Sequence, residues 1–91
     1  LAIALSLSST IQDAPPTPQQ RLEASPRHHE WIDVEHSGRS VRAFAVYPER
    51  KDPAPVVLVI HENKGLSDWV RSVCDRLAED GYLAVAPDLL S

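Results

Sequence analysis

The side chains best suited to chemistry stand together in one polar run, residues 61–65, with the sequence His-Glu-Asn-Lys-Gly. A carboxylate such as that of Glu62 can exchange protons with a bound molecule. The run directly follows the apolar residues 56–60, a short stretch rich in branched side chains. Such a stretch is typical of a strand covered on both faces, so the polar run should mark its carboxyl end.

A helix is predicted after the polar run. Ser67 suits its N-cap, and Gly81 suits the left-handed position beyond its last turn. Arg71 and Asp75 stand four residues apart, and we expect them to form an ion pair on the solvent side. The apolar stripe recurs with a 3.6-residue period and consists of Val70, Val73, Cys74, Leu77 and Ala78.

A second apolar run, residues 82–86, follows the helix and predicts a strand parallel to the first. Ligands of such sheets collect beyond the carboxyl ends of the strands, where residues 61–65 and 87–90 both fall. Trp69 lies on the first helical turn, where it either walls a pocket or packs beneath the loop. We name it as a candidate substrate-binding residue.

A hairpin is predicted ahead of this unit. Ile32 and Val34 alternate with acidic residues from about Glu30 onward, as in a half-buried strand. A turn at residues 37–39 leads into a second strand that ends at Pro48. The inward-facing set predicted for that strand is Val41, Ala43, Ala45 and Tyr47. The predicted fold class is therefore α/β, an antiparallel hairpin followed by a parallel strand-helix-strand crossover.

The amino-terminal third of the chain has a different composition. Residues 1–11 are typical of the remnant of a signal-peptide apolar segment, which predicts a secreted or periplasmic protein. A frayed apolar terminus or part of a helix, in a cytoplasmic protein, is the alternative. Residues 12–29 are rich in proline and predict an extended, mobile spacer, which leaves residues 30–91 as the folded portion.

Charge and cysteine content exclude several classes of function. The formal net charge is −4 and no basic cluster occurs, so we expect neither a nucleic-acid partner nor stable membrane association after signal removal. The single cysteine, Cys74, permits no internal disulfide and is predicted to be a small core residue. His28, His29 and His36 are expected to be solvated or to lie in turns. No zinc-ligand spacing is present, and no metal or cofactor is predicted.

One face of the predicted sheet lacks a cover. A strand that is apolar on both faces needs helices on both sides, yet this sequence predicts one good helix. We therefore expect an incomplete sheet, the amino-terminal part of a longer α/β domain. A partner chain that covers the bare face is the alternative, and the oligomeric state is not predicted.

The motifs in residues 59–71, 75–78, 81–82 and 86–91 together resemble the early part of the dienelactone hydrolase family, a branch of the α/β-hydrolases. The resemblance implies the beginning of an α/β-hydrolase sheet and an enzyme that hydrolyses small carboxylic esters or lactones through an acyl-enzyme intermediate. A non-catalytic α/β binding module that has lost its nucleophile is the alternative.

The resemblance also implies roles for three residues of the polar run. The backbone amide of Asn63 would supply half of an oxyanion hole, and Glu62 would hold the resting nucleophile until substrate displaces it. Alternatively, Asn63 only closes the loop, and Glu62 is an ordinary surface glutamate. His61 would either contact substrate or form hydrogen bonds within the loop. No G-x-S-x-G elbow occurs, so the nucleophile, acid and histidine of the triad are expected beyond Ser91.

Overall fold

The computed structural model describes residues 14–91, so the predicted signal-peptide remnant and residues 12–13 of the predicted spacer lie outside the described residues. Within this range the chain forms two helices and four strands. In chain order they are α1 (Pro18–Ala24), β1 (His29–His36), β2 (Arg39–Val46), β3 (Val56–Leu58), α2 (Asp68–Glu79) and β4 (Leu83–Pro87). Among residues 14–91, no helix combines the length and apolarity that a membrane crossing requires.

The four strands form one sheet in the order β1-β2-β4-β3. Strand β2 pairs antiparallel with both β1 and β4, and β3 pairs parallel with β4 in a register that sets Val57 beside Ala84. The turn between β1 and β2 has positive φ at Ser37 and Gly38, 51° and 78°, as a two-residue hairpin of right-handed twist requires. The predicted hairpin and parallel crossover are therefore confirmed.

Helix α2 begins and ends where the sequence predicts. The Ser67 hydroxyl accepts the Val70 N–H at 3.3 Å, and Gly81 follows the last turn with φ of 102°. The apolar stripe of α2 packs on one face of the sheet, which fixes the position of the helix that links β3 to β4. The buried cluster consists of Leu22, Phe44, Val46, Val70, Cys74, Ala78, Ala84 and Ala86.

The inward-facing set predicted for β2 is correct in part, because two of its members are buried but the helices pack on the other face of the strand. Phe44 and Val46 contact the helix side, whereas the predicted set at positions 41, 43 and 45 lies on the opposite face. Ala43 and Ala45 are nevertheless buried. Tyr47 is exposed, and its hydroxyl donates a hydrogen bond to Glu30 Oε2 at 3.0 Å. Period-2 alternation shows that a strand has two faces but does not show which one the helices cover.

Strand β3 lies at the edge of the sheet, and one of its faces has no cover within the described residues. Val56, Leu58 and Ile60 are 57–63% exposed. Both described helices lie on the other face, where Val59 packs against the core. One face of the sheet is thus bare at β3, as expected from a sequence that predicts one good helix.

Helix α1 corrects the predicted conformation of the spacer. Thr17 and Gln20 form a reciprocal capping box at 2.9 and 3.1 Å, and Pro18 occupies the first helical turn, where its missing N–H costs nothing. Leu22 then packs into the core. The division of the chain at residue 30 remains a prediction, but residues 18–24 are helical rather than extended because a proline can begin a helix as well as interrupt one.

A buried carboxylate holds the segment after α1 against α2. Asp75 is 6% exposed, and its oxygens accept hydrogen bonds from the Ser25 hydroxyl at 2.5 Å and from Arg27 Nε and Nη2 at 3.2 and 3.0 Å. His29 Nε2 lies 2.9 Å from the same carboxylate. We name these four residues the Asp75 cluster.

The Asp75 cluster overturns two predictions. Arg71 does not pair with Asp75 but with Asp68, and its guanidinium lies near the ring of Trp31. His29 is not a solvated residue, because its ring contacts Asp75 in the partly buried interior. Both errors have one cause: residues 25–29 cover the side of α2 that sequence periodicity assigns to solvent.

The charge of Asp75 is stabilised where it is buried. Burial raises the pKa of its carboxyl group, but hydrogen bonds from Arg27, Ser25 and His29 outweigh this effect and hold the pKa below the ordinary 3.8. The hydrogen bond to Asp75 in turn raises the pKa of the Arg27 guanidinium. The ionised carboxylate therefore contributes stability above the ordinary pKa, and this contribution is lost as the pH falls through the folded-state value.

We predict that Asp75→Ala lowers the free energy of unfolding at pH 7 by about 3 kcal/mol, because it leaves the buried Arg27 charge with only the exposed Glu49 as an ionic partner, at 3.3 Å. Asp68→Ala, which removes a carboxylate that is 48% exposed, is the matched control. It should cost less than about 1 kcal/mol. Urea denaturation should show that the difference in free energy of unfolding between wild type and Asp75→Ala becomes smaller as the pH is lowered below 3.8. A deficit that is equal at all pH values would contradict this account.

Candidate active site

The carboxyl ends of β3 and β4 lie side by side, and the segments that follow them meet there. After β4, a turn at residues 88–91 is held by the Asp88 N–H, which donates to the Arg42 carbonyl of β2 at 2.6 Å. Within the turn, the Leu90 N–H donates to Asp88 Oδ1 at 3.2 Å and the Ser91 N–H to the Asp88 carbonyl at 3.1 Å. The turn is thus a fixed wall beside the polar run.

The polar run after β3 forms a tight turn. The Gly65 N–H donates to the Glu62 carbonyl at 3.2 Å, which places Asn63 and Lys64 at the two central positions. Gly65 is buried and has φ of 83°, a left-handed conformation that suits glycine. A Cβ at this position would lie 3.1 Å from Leu90 Cδ1, so the polar run packs closely against the 88–91 turn.

The His61 ring is buried between the two segments. Its side chain is only 3% exposed. Nε2 accepts the Leu89 N–H at 2.9 Å, and Nδ1 lies 2.5 Å from the Glu62 carbonyl oxygen. Of the two roles considered for His61, the structure therefore shows hydrogen bonding within the protein. Its partner Leu89 lies 28 residues later, so local sequence could not identify it.

A cavity of about 270 Å³ opens beside the polar run. Trp69 is 61% exposed and forms one wall of this cavity, so the alternative in which it packs beneath the loop is wrong. Glu62 also lines the cavity and is exposed. The lining residues are Glu62, Asn63, Lys64, Gly65, Ser67, Trp69 and Val70.

The backbone amide of Asn63 is one of the donors that this geometry leaves open. Within residues 14–91, no acceptor takes the N–H of Glu62, Asn63 or Lys64, whereas the neighbouring Gly65 N–H is engaged. A backbone N–H that is already held in place needs little reorganisation to bind a developing negative charge. The site can therefore donate a hydrogen bond from its backbone and present a carboxylate, that of Glu62, in the same cavity.

Cys74 does not belong to this site. Its side chain is fully buried under the sheet, and burial raises the pKa of its thiol to about 11. A thiol in that state is a poor nucleophile at neutral pH. The predicted role of Cys74 as a small core residue is confirmed. Among residues 14–91, no three His, Cys, Asp or Glu side chains are grouped to hold a metal ion.

Comparison with known proteins gives consistent matches. The model of the dienelactone hydrolase family matches residues 41–91. An Escherichia coli K12 protein, provisionally named a carboxymethylenebutenolidase, is 36% identical over 87 residues, which cover 94% of this chain and 29% of that protein. A Saccharolobus solfataricus protein with the same provisional name is 44% identical over 58 residues, which cover 64% of this chain and 22% of that protein.

A solved structure matches as well. The crystal structure of a provisionally assigned dienelactone hydrolase from Klebsiella pneumoniae superposes with a TM-score of 0.65 at 34% sequence identity. The match covers 69% of this chain and 27% of the Klebsiella chain. The chain thus spans less than a third of the length of these relatives.

We predict that Gly65→Ala destabilises the fold more than Gly38→Ala. Both alanines would carry a left-handed φ, at a cost of about 1–2 kcal/mol each. Only the Cβ at position 65 meets a neighbour, Leu90, whereas that at position 38 meets nothing within 4 Å. Shifting the exposed Leu90 side chain away from the new methyl group should add about 0.5 kcal/mol to the loss measured by thermal denaturation. Adding Leu90→Ala should remove this excess, and equal losses for the two glycine variants would contradict the packing described.

Proposed function

Because the chain belongs to the dienelactone hydrolase family, we propose that the protein hydrolyses small carboxylic esters or lactones through an acyl-enzyme intermediate. In this proposal residues 61–65 supply one donor of the oxyanion hole. The observation that carries it is the Asn63 N–H, which has no acceptor among residues 14–91 and lies beyond the carboxyl end of β3.

The proposed role of Asn63 follows from the chemistry of acyl transfer. Attack on an ester carbonyl turns its oxygen into an oxyanion, and a fixed N–H stabilises this charge more than it stabilises the neutral carbonyl. The Asn63 side chain is not required, because the donor belongs to the backbone. Substrate would enter the cavity beside residues 62–70, with Trp69 as its apolar wall.

We assign the nucleophile, the acid and the histidine of the triad to residues outside these 91. The sequence has no G-x-S-x-G elbow, and the one cysteine is buried with its thiol protonated at neutral pH. A binding module that uses the same cavity without chemistry is the second candidate, and a complete protein without an elbow would favour it. An elbow in the complete protein would decide for the hydrolase. Secretion or export to the periplasm, predicted from residues 1–11, is likewise a proposal.

Glu62 is proposed to hold the resting nucleophile until substrate displaces it. Its carboxylate lines the same cavity as the Asn63 amide and is exposed, so a second group can approach it. A carboxylate in this place can accept a hydrogen bond from a thiol or hydroxyl and exchange a proton with it.

The amide role predicts opposite outcomes for two substitutions at one position. Asn63→Pro removes the N–H, and proline suits the first central position of a turn, so the loop should keep its shape. We expect kcat for ester hydrolysis by the complete enzyme to fall about 10²–10³-fold. Asn63→Ala keeps the N–H and should retain kcat within about threefold. Loss of activity in both variants, with native circular dichroism, would transfer the role to the side chain.

The gating role predicts a change in pH dependence. Glu62→Gln keeps the size of the side chain but cannot exchange a proton, so the profile of kcat/KM against pH should change shape. Glu79→Gln removes an exposed carboxylate from the far end of α2 and serves as the control, with a profile expected to match the wild type. If the Glu62→Gln profile also matches the wild type, Glu62 has no gating role.

A further inference from the structure

We propose that His61 is a positioning residue that aims the Asn63 N–H at the oxyanion. This proposal rests on the proposed function, because it concerns the direction of the donor named there. It assigns to His61 an indirect role, exerted through the carbonyl of Glu62 rather than through contact with substrate.

The connection runs through one peptide plane. The Glu62 carbonyl and the Asn63 N–H belong to the same peptide unit, and no cis peptide bond occurs in the described residues. In a planar trans peptide the C=O and N–H bonds point in opposite directions. Whatever holds the Glu62 oxygen on one side therefore fixes where the Asn63 hydrogen points on the other.

Two donors hold the Glu62 oxygen. The Gly65 N–H reaches it at 3.2 Å within the turn, and His61 Nδ1 lies closer, at 2.5 Å. The imidazole is the shorter contact, and it comes from a ring that is anchored outside the turn. Without it, the peptide plane would depend on one longer hydrogen bond made within the loop itself.

The ring can donate to Glu62 only in one tautomer, and its second nitrogen selects that tautomer. Nε2 accepts the Leu89 N–H at 2.9 Å and so carries no proton. The neutral ring then bears its hydrogen on Nδ1, which faces the Glu62 oxygen. The nearest carboxylate, that of Asp88, lies 3.8 Å from Nε2.

The anchor of the ring is itself rigid. Leu89 belongs to the turn that Asp88 ties to the Arg42 carbonyl of β2 at 2.6 Å, and the ring is 3% exposed. A chain of hydrogen bonds thus runs from β2 through the 88–91 turn and the imidazole to the Glu62 carbonyl. The orientation of the Asn63 amide is set by the sheet and not by the turn alone.

Three substitutions separate the two hydrogen bonds of the ring. The amide nitrogen of Asn at position 61 would stand near the place of Nδ1 and keep the donor to Glu62 while losing the acceptor for Leu89. The oxygen of Gln would stand near the place of Nε2 and keep that acceptor while losing the donor. Phe would fill the space and make neither bond.

We expect His61→Gln and His61→Phe to lower kcat of the complete enzyme about tenfold, with KM changed less than about threefold, because the aimed amide acts in the transition state. His61→Asn keeps the donor to Glu62 but loses the anchor on Leu89, so its kcat should fall less, by about threefold. Equal loss in all three variants, or loss expressed in KM alone, would overturn the positioning role. So would full activity in His61→Phe.

A measurement that needs no activity guards against variants that do not fold. Nitrogen-15 NMR of the wild-type ring should show the Nδ1–H tautomer, and an Nε2–H ring would overturn the proposal. The comparison with Asn63→Pro separates the two ideas. If Asn63→Pro retains kcat, the oxyanion donor of the proposed function fails, whatever the tautomer of the ring. If Asn63→Pro loses kcat and His61→Phe does not, only the positioning role fails.

Discussion

Parallel pairing of β3 with β4 is the constraint on which the candidate site depends. Because both strands run in one direction, their carboxyl ends lie at the same edge, and the segments that follow must meet there. The contact of Gly65 with Leu90 and the hydrogen bond from Leu89 to His61 both follow from that pairing. A shift of register between the two strands would separate these partners, so a few ladder hydrogen bonds determine the geometry of the cavity.

The parts of the fold that sequence predicts correctly carry local signals. The cap at Ser67, the left-handed Gly81 and the tight hairpin turn each depend on residues within a few positions of one another. The parallel crossover follows from two short apolar runs separated by one amphipathic helix. Their order in the chain is enough to place the polar run at the end of a strand.

The errors concern partners that are distant in sequence. Phe44, and not the predicted inward-facing set of β2, faces the helices. The covering helix α2 begins more than 20 residues later, so the strand's own sequence does not show which face it covers. Asp75 is buried because residues 25–29, about 50 positions earlier, return to cover it. Helix α1 carried a local signal, the Thr-Pro-x-Gln capping box, that its proline-rich composition obscured. No pattern confined to one helix or strand identifies such partners.

The exposure of β3 also bears on function. Burial on both faces is typical of a strand inside a doubly covered α/β sheet, and β3 lacks a cover on one face within the described residues, since Val56 and Leu58 are more than half exposed. Family membership rests on sequence similarity instead, and the candidate site rests on the cavity and on hydrogen bonding around the polar run.

Residue types in the polar run are a poor guide to the chemistry of that run, because its proposed donor is a backbone amide. Position 63 requires only a residue that has an N–H, whereas position 65 requires a left-handed φ and no Cβ facing Leu90. At position 61 the structure has a buried ring whose Nε2 accepts the Leu89 N–H and whose Nδ1 faces the Glu62 carbonyl. The His61 side chain is thus proposed to position the loop. Asn63, where any residue with an N–H would serve, supplies the proposed oxyanion donor.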